Sequence, residues 1–201
     1  MYSFKDISRL TRITVIVLCL YMTAKFTLGA LLFDALVMDD QPVAPALISL
    51  IGFATIADLA CVLAAFVLVG LWIYRANANA HALAGDLSVS PGWAVGWFFV
   101  PIACLFKPYL AMKETWLASH FGGNWGDGEP TDLLSWWWGL WILSGLLGYG
   151  VVLADRGDPA LGAEINLGAG FVALALSLVL IRIMLQIRDA QNSTRHAEVF
   201  A

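Results

Sequence analysis

The chain has 201 residues, 60% of them hydrophobic and only 13% charged, with a formal net charge of −4. Soluble domains carry about 25% charged residues, so this composition excludes an ordinary soluble domain and indicates one membrane-embedded domain over residues 1–201. The small negative charge and the lack of a long basic run exclude nucleic acid as a partner.

Lys5, Arg9 and Arg12 precede a long apolar run that reaches Leu36. That run exceeds the roughly 7–15 apolar residues of a signal peptide, and no small-x-small cleavage site follows it. It reads as a retained first span. Four segments are long enough to cross a bilayer, about Ile13–Leu36, Ala46–Tyr74, Leu133–Ala154 and Leu161–Ile187. A short acidic turn with Asp39 and Asp40 joins the first two, and Asp155–Pro159 joins the last two. Short connections of turn-forming residues imply two antiparallel helical hairpins.

Between the hairpins the second helix is expected to run on as an alanine-rich extension ending near Gly85. Ser90-Pro91 is a helix-start signal, with serine as N-cap and proline in the first turn. The apolar run Trp93–Phe106 is shorter than the roughly 20 residues a spanning helix needs. Pro101 interrupts it, removing a backbone donor and crowding the preceding turn. Pro108 then opens a further helix, in which Tyr109, Met112, Trp116 and Leu117 share an apolar face while Lys113, Glu114 and His120 point elsewhere. This predicts an amphipathic helix lying at the membrane interface. Gly122–Pro130 reads as a flexible loop, and Thr131 or Asp132 as the cap of the third span.

Basic residues set the expected orientation. Lys5, Arg9, Arg12, Arg75, Lys107, Lys113, Arg182, Arg188 and Arg195 fall on one side of a four-span arrangement, and Arg156 falls on the other. Both termini and the central segment are therefore expected in the cytoplasm. A fifth span through Trp93–Phe106 would carry the C-terminal arginines outside. The fold expected is an all-α, integral membrane four-helix bundle with a broken re-entrant or interfacial segment over residues 91–121 on the cytoplasmic side. In this arrangement all nine tryptophans lie near the cytoplasmic face, at the headgroup level such rings prefer.

The runs WIYRANANAHAL and SPGWAVGWFFVPIACLFKPYLAMKETW resemble a bacterial family of polytopic membrane proteins known as domain of unknown function 4328. The positions that carry the resemblance are Trp72, Arg75, Asn79, Pro91, Trp93, Trp97, Pro101, Lys107, Pro108, Glu114 and Trp116, from the second span toward the fourth. Cys104 stands where that family tends to have asparagine. The resemblance implies a bacterial plasma membrane protein and brings no activity with it.

Lys25 and Asp58 are the sharpest polar signal. Each lies roughly a dozen residues from the first turn, so at about 1.5 Å rise per residue both sit near mid-bilayer at matching depth. Such a pair is either a proton or ion relay or a structural ion pair that fixes hairpin register. Glu164 and Asn166 lie near the outer end of the fourth span. Arg75, Lys107, Lys113 and Glu114, with Trp93, Trp97, Cys104 and Trp116, form the candidate lipid- or partner-binding set. Cys19, Cys61 and Cys104 show no disulfide or metal-ligand spacing, and His81, His120 and His196 share no ligand set. No metal, cofactor or catalytic constellation is expected, which argues against an enzyme. Small residues recur at four-residue spacing as Ala57, Cys61 and Ala65, as Ser144 and Gly148, and as Ala169, Ala173 and Ser177, allowing close helix approach. The expected function is non-enzymatic binding of membrane lipids, or of another membrane protein or a second copy. The alternative is a small transporter or proton- or ion-conducting protein that uses Lys25 and Asp58.

Overall fold

A computed structural model describes residues 2–38 and 42–200, the last six of these as backbone only. Its six α-helices are α1 (Ser8–Phe33), α2 (Pro45–Ala84), α3 (Pro91–Gly96), α4 (Lys107–Phe121), α5 (Leu133–Ala154) and α6 (Pro159–Phe200). There is no strand among the described residues. Four helices are long and apolar enough to cross a membrane, over Ser8–Met38, Pro45–Ala84, Asp132–Ala154 and Pro159–Thr194. The acidic turn residues Asp39 and Asp40 lie outside the described residues.

Local signals account for most boundaries. α1 starts earlier than expected because the Asp6 carboxylate accepts from the Ser8 amide at 2.8 Å and the Ser8 hydroxyl at 2.6 Å. This satisfies a backbone donor that a helix start would otherwise leave orphaned. It ends in a π-helical turn, Asp34–Met38. α2 stops where Gly85 adopts φ 85°, a conformation that favours glycine. α5 follows Thr131, whose hydroxyl accepts from the Leu133 amide at 3.4 Å. α6 opens with Pro159 behind Asp158, whose carboxylate accepts from the amides of Ala160 and Leu161 at 3.1 and 3.2 Å.

The chain divides into two compact units. One comprises residues 16–66 and 139–178. Its outward side chains are large and apolar, among them Phe53, Ile56, Leu146 and Tyr149. A water-facing surface seldom carries apolar side chains on this scale, whereas a lipid-facing one does. Inside this unit, α1 and α6 meet backbone to backbone. A Cβ placed on Gly29 would lie 3.1 Å from Leu167 Cα, and one on Gly170 would lie 3.4 Å from Phe26 Cα. Of the small-residue ladders, Ala169, Ala173 and Ser177 on α6 are buried. Ala57 is exposed, and nothing lies near Gly148.

The other unit comprises residues 1–15, 67–138 and 179–201. It has a true interior. Ile7, Trp72, Ala76, Met112, Leu134, Ile183, Met184 and Ile187 are fully enclosed, and so are Thr11, Asn77, Asn79, Thr115, Ser119 and Gln191. Three sequence expectations are corrected here. α4 does not bury the expected face of Tyr109, Met112, Trp116 and Leu117 as a set. It buries Pro108, Ala111, Met112, Thr115, Leu117, Ala118 and Ser119, a broad face that is partly polar, because small residues and hydroxyls let neighbouring segments close on it. Trp72 and Trp137 are not belt residues either, since both are core side chains. The Trp72 indole N–H finds its partner in the Thr11 hydroxyl at 2.9 Å, satisfying the polar tip that makes buried tryptophan costly. Gly122–Asp127 forms a 3-10 turn rather than an open loop. Trp125 packs there on Ala80, Leu87 and Ala118 and donates to Asp86 at 3.0 Å.

Candidate functional site

The interior of the second-described unit is built on a polar cluster. On α2, Asn77 Nδ2 donates to Thr115 Oγ1 at 2.9 Å. Asn79 Nδ2 donates to Gln191 Oε1 at 2.9 Å and to the Lys5 carbonyl at 2.8 Å, while the Lys5 amide donates back to Asn79 Oδ1 at 2.9 Å. Gln191 Nε2 donates to the Ala76 carbonyl and to Ser119 Oγ, both at 2.9 Å. The N-terminal segment, α2, α4 and α6 are thereby tied at one level. Such networks rigidify a core when nearly every member is satisfied. Asn77 Oδ1 is buried without a donor among the described residues.

From that rigid base hangs the broken segment. α3 begins at Pro91 behind an extended Ser90, then tightens into a 3-10 turn at Trp97–Phe99. At Pro101 the chain reverses. The Ala103 amide donates to the Pro101 carbonyl at 2.7 Å around Ile102, whose φ of 67° and ψ of −53° describe a γ-turn of the rare positive-φ kind. A β-branched residue there is strained by about 1–3 kcal/mol. Ile102 is 75% exposed, and Trp93, Phe99, Leu105 and Phe106 are exposed beside it in sequence. The return strand of the loop is pinned where the Trp138 indole donates to the Leu105 carbonyl at 3.0 Å.

The expected binding residues separate into groups. Trp93 and Trp97 pack with ring centroids 4.5 Å apart, and Lys107 Nζ stands 5.7 Å from the Trp97 ring centre, within cation–π range. Cys104 is a half-buried thiol in the 3-10 turn Ala103–Leu105. Lys113 is half-buried on α4. Glu114 turns to the α2–α3 connection, accepting from the Ser88 amide at 3.0 Å, from the Ser88 hydroxyl and from the Val89 amide at 3.3 Å. It holds that loop closed. Trp116 stacks on His120 with centroids 3.9 Å apart, and its indole donates to Gln186 at 3.3 Å. Burial holds the His120 imidazole below its ordinary pKa, partly offset by its bond to the Trp116 carbonyl. Arg75 joins a different group, an open groove of about 320 Å³ lined by Lys5, Asp6, Ile7, Arg9, Leu10 and Ile13.

In the other unit Lys25 and Asp58 do meet, with Lys25 Nζ 3.8 Å from Asp58 Oδ2 and side chains 22% and 13% exposed. The separation is long for a charge-assisted hydrogen bond, and Asp58 Oδ1 has no donor among the described residues. Asn166 Oδ1 is likewise buried without a donor among the described residues. Among the described residues no group of three or more His, Cys, Asp or Glu could hold a metal ion.

Sequence reasoning missed the polar cluster except for Asn79. A signal was present in the stretch from Ala76 to Ala80, which has no lysine or glutamate on any side. A helix turn of small, uncharged residues lets neighbouring segments approach it closely.

The model of a family described as "Domain of unknown function (DUF4328)" matches residues 39–189, most of the chain and all of the motif positions from Trp72 to Trp116. No curated protein and no solved structure matches the chain.

Proposed function

The chain belongs to the DUF4328 family, and on that premise we propose that it is a non-enzymatic membrane protein that binds lipid or a partner membrane protein through the segment Pro91–Trp116. The observation that carries this reading is the strained turn at Ile102. Backbone strain persists where its surroundings over-determine it, and it gathers at sites of function. Here it holds an exposed apolar side chain at the tip of a segment rich in exposed aromatics. The helices flanking the tip, α3 with 6 residues and the 3-10 turns with 3 each, are far too short to cross a bilayer. A segment of this kind enters one leaflet and returns. Trp93, Trp97 and Trp116 act as apolar anchors at headgroup depth, with Lys107 and Lys113 toward the anionic side.

The charge pattern supports an orientation with both termini cytoplasmic and the segment in the cytoplasmic leaflet, and the family resemblance implies a bacterial plasma membrane. Single cysteines placed along Trp93–Tyr109, in a background lacking Cys19, Cys61 and Cys104, test the reading. Impermeant label should reach the ends of the segment from the cytoplasmic side alone. Labelling of its middle from outside would mean that it crosses, and the proposal would fail.

A second reading, ion or proton conduction, draws on the Lys25–Asp58 pair, in which Asp58 Oδ1 is buried without a donor among the described residues. Intramembrane ionisable groups of this kind mark conduction paths. Proton flux into vesicles that is abolished by Asp58→Asn would favour it over the binding reading.

A further inference from the structure

The groove lined by Lys5, Asp6, Ile7, Arg9, Leu10, Ile13 and Arg75 is a site separate from the aromatic segment, and we infer that it binds the headgroup of an anionic phospholipid. Its construction is specific. The backbone of Lys5 is clasped at both its amide and its carbonyl by the Asn79 side chain, which fixes the main chain that carries the ammonium. Asp6, the carboxylate in the lining, accepts from the Ser8 amide and hydroxyl and so is engaged in starting α1. Arg9 lies one residue beyond. The Trp72–Thr11 hydrogen bond ties α1 to α2, and Arg75, three residues past Trp72, lines the same groove as Arg9. Arg75 also lies 5.8 Å from the centre of the Tyr74 ring.

Three cationic residues therefore line one groove, and among the described residues none of them forms an ion pair. A guanidinium matches a phosphate diester with two parallel donors, and two of them with an ammonium suit a group carrying one or two negative charges. The apolar side of the groove selects among anions. Leu10 and Ile13 form its wall, and Ile13 is exposed at the point where α1 runs on as an apolar span. A small hydrophilic anion gains nothing from that wall. A phospholipid fills both halves, with its phosphate at the cations and its glycerol and upper chain along Leu10 and Ile13. Lys5 and Arg9 begin one apolar helix and Arg75 ends the apolar part of another, which is where headgroups lie. The site needs only the bilayer placement of α1 and α2, so it stands whether the aromatic segment binds lipid or protein.

The test uses the full chain in nanodiscs of phosphatidylcholine doped with palmitoyl-oleoyl phosphatidylglycerol, with retained lipid counted by native mass spectrometry. Phosphatidylglycerol should be enriched over phosphatidylcholine. Arg9→Gln and Arg75→Gln should each weaken its retention about fivefold, as expected for loss of one cation near the surface. Arg12→Gln, which removes the same charge from the same helix end outside the groove, should leave retention unchanged. Arg75→Lys should keep most of it, which separates loss of the site from loss of folding. Equal retention in Arg9→Gln and wild type would overturn the assignment. So would an equal loss in Arg12→Gln, which would mean general charge attraction. Displacement of the lipid by millimolar inorganic phosphate would show that the groove takes a free anion, and the lipid assignment would fall.

Discussion

Asn79 and Gln191 hold each other across 112 residues of chain, Nδ2 to Oε1 at 2.9 Å, with neither side chain open to solvent. Gln191 also donates to Ala76 and Ser119, so its removal strands several buried groups at once. Gln191→Leu should lower stability by about 1–3 kcal/mol, the cost of leaving buried polar groups unsatisfied. Arg188→Gln, which disturbs only an exposed pair with Asp189, should change it by less than about 0.5 kcal/mol. Thermal unfolding in detergent compares the two, and equal midpoints would remove the cluster from the account of stability.

The ion pair between Lys25 and Asp58 calls for a double-mutant cycle. Lys25→Met or Asp58→Leu alone leaves one charge among apolar helices, at about 2.5–3.5 kcal/mol on insertion scales. Both together leave none, so the double variant should be markedly more stable than the sum of the two losses. Strict additivity in unfolding free energy would show that the 3.8 Å contact carries no coupling.

Two glycines in apolar helices should behave oppositely. Gly29→Ala places a methyl 3.1 Å from Leu167 Cα and 3.2 Å from the Asn166 carbonyl, and backbone on both sides cannot give way easily. The expected cost is about 1–3 kcal/mol. Gly148→Ala meets nothing within 4 Å and should be neutral or stabilising, since alanine has the higher helix propensity. A tolerated Gly29→Ala would mean that α1 and α6 are less closely apposed.

His120 should make stability depend on pH. Burial depresses its folded-state pKa below the ordinary value of 6.5. The unfolded chain therefore takes up the proton first as pH falls. The stabilisation is complete above the unfolded pKa and is lost as pH drops below it toward the folded value. The unfolding midpoint should fall with acidification from pH 7, and the His120→Gln variant should show a shallower dependence. A proton-detected titration of the His120 ring giving a value at or above the ordinary one would refute this.

The long apolar helices were legible because the bilayer asks for uninterrupted apolar length, a property of single segments. Gly85, Ser90-Pro91 and Pro101 were legible because their backbone chemistry acts locally. Lys25 and Asp58 could be paired by counting rise from a shared turn. Packing in the other unit was not visible in this way. Thr115 and Ser119 on α4 look like a solvated side of a surface helix until Asn77 and Gln191 are seen to meet them, and those partners lie 38 and 72 residues away. Glu114 looked like a ligand-facing acid. It is a brace for Ser88 and Val89, and nothing in its spacing says so. Arg75 was grouped with Lys107 by position along the chain, while the clasp on Lys5 puts it beside the N-terminal segment.

That clasp has a consequence for how the protein is made. Lys5, Asn79 and Gln191 leave the ribosome far apart in time, and the first two wait for the third through the synthesis of α4, α5 and most of α6. Until α6 arrives, Asn79, the Ala76 carbonyl and the Ser119 hydroxyl lack the partner that Gln191 supplies. A nascent chain stalled before residue 191 therefore displays unsatisfied polar groups beside apolar helices, a mark by which proteases and insertases can tell an unfinished product from a sealed one.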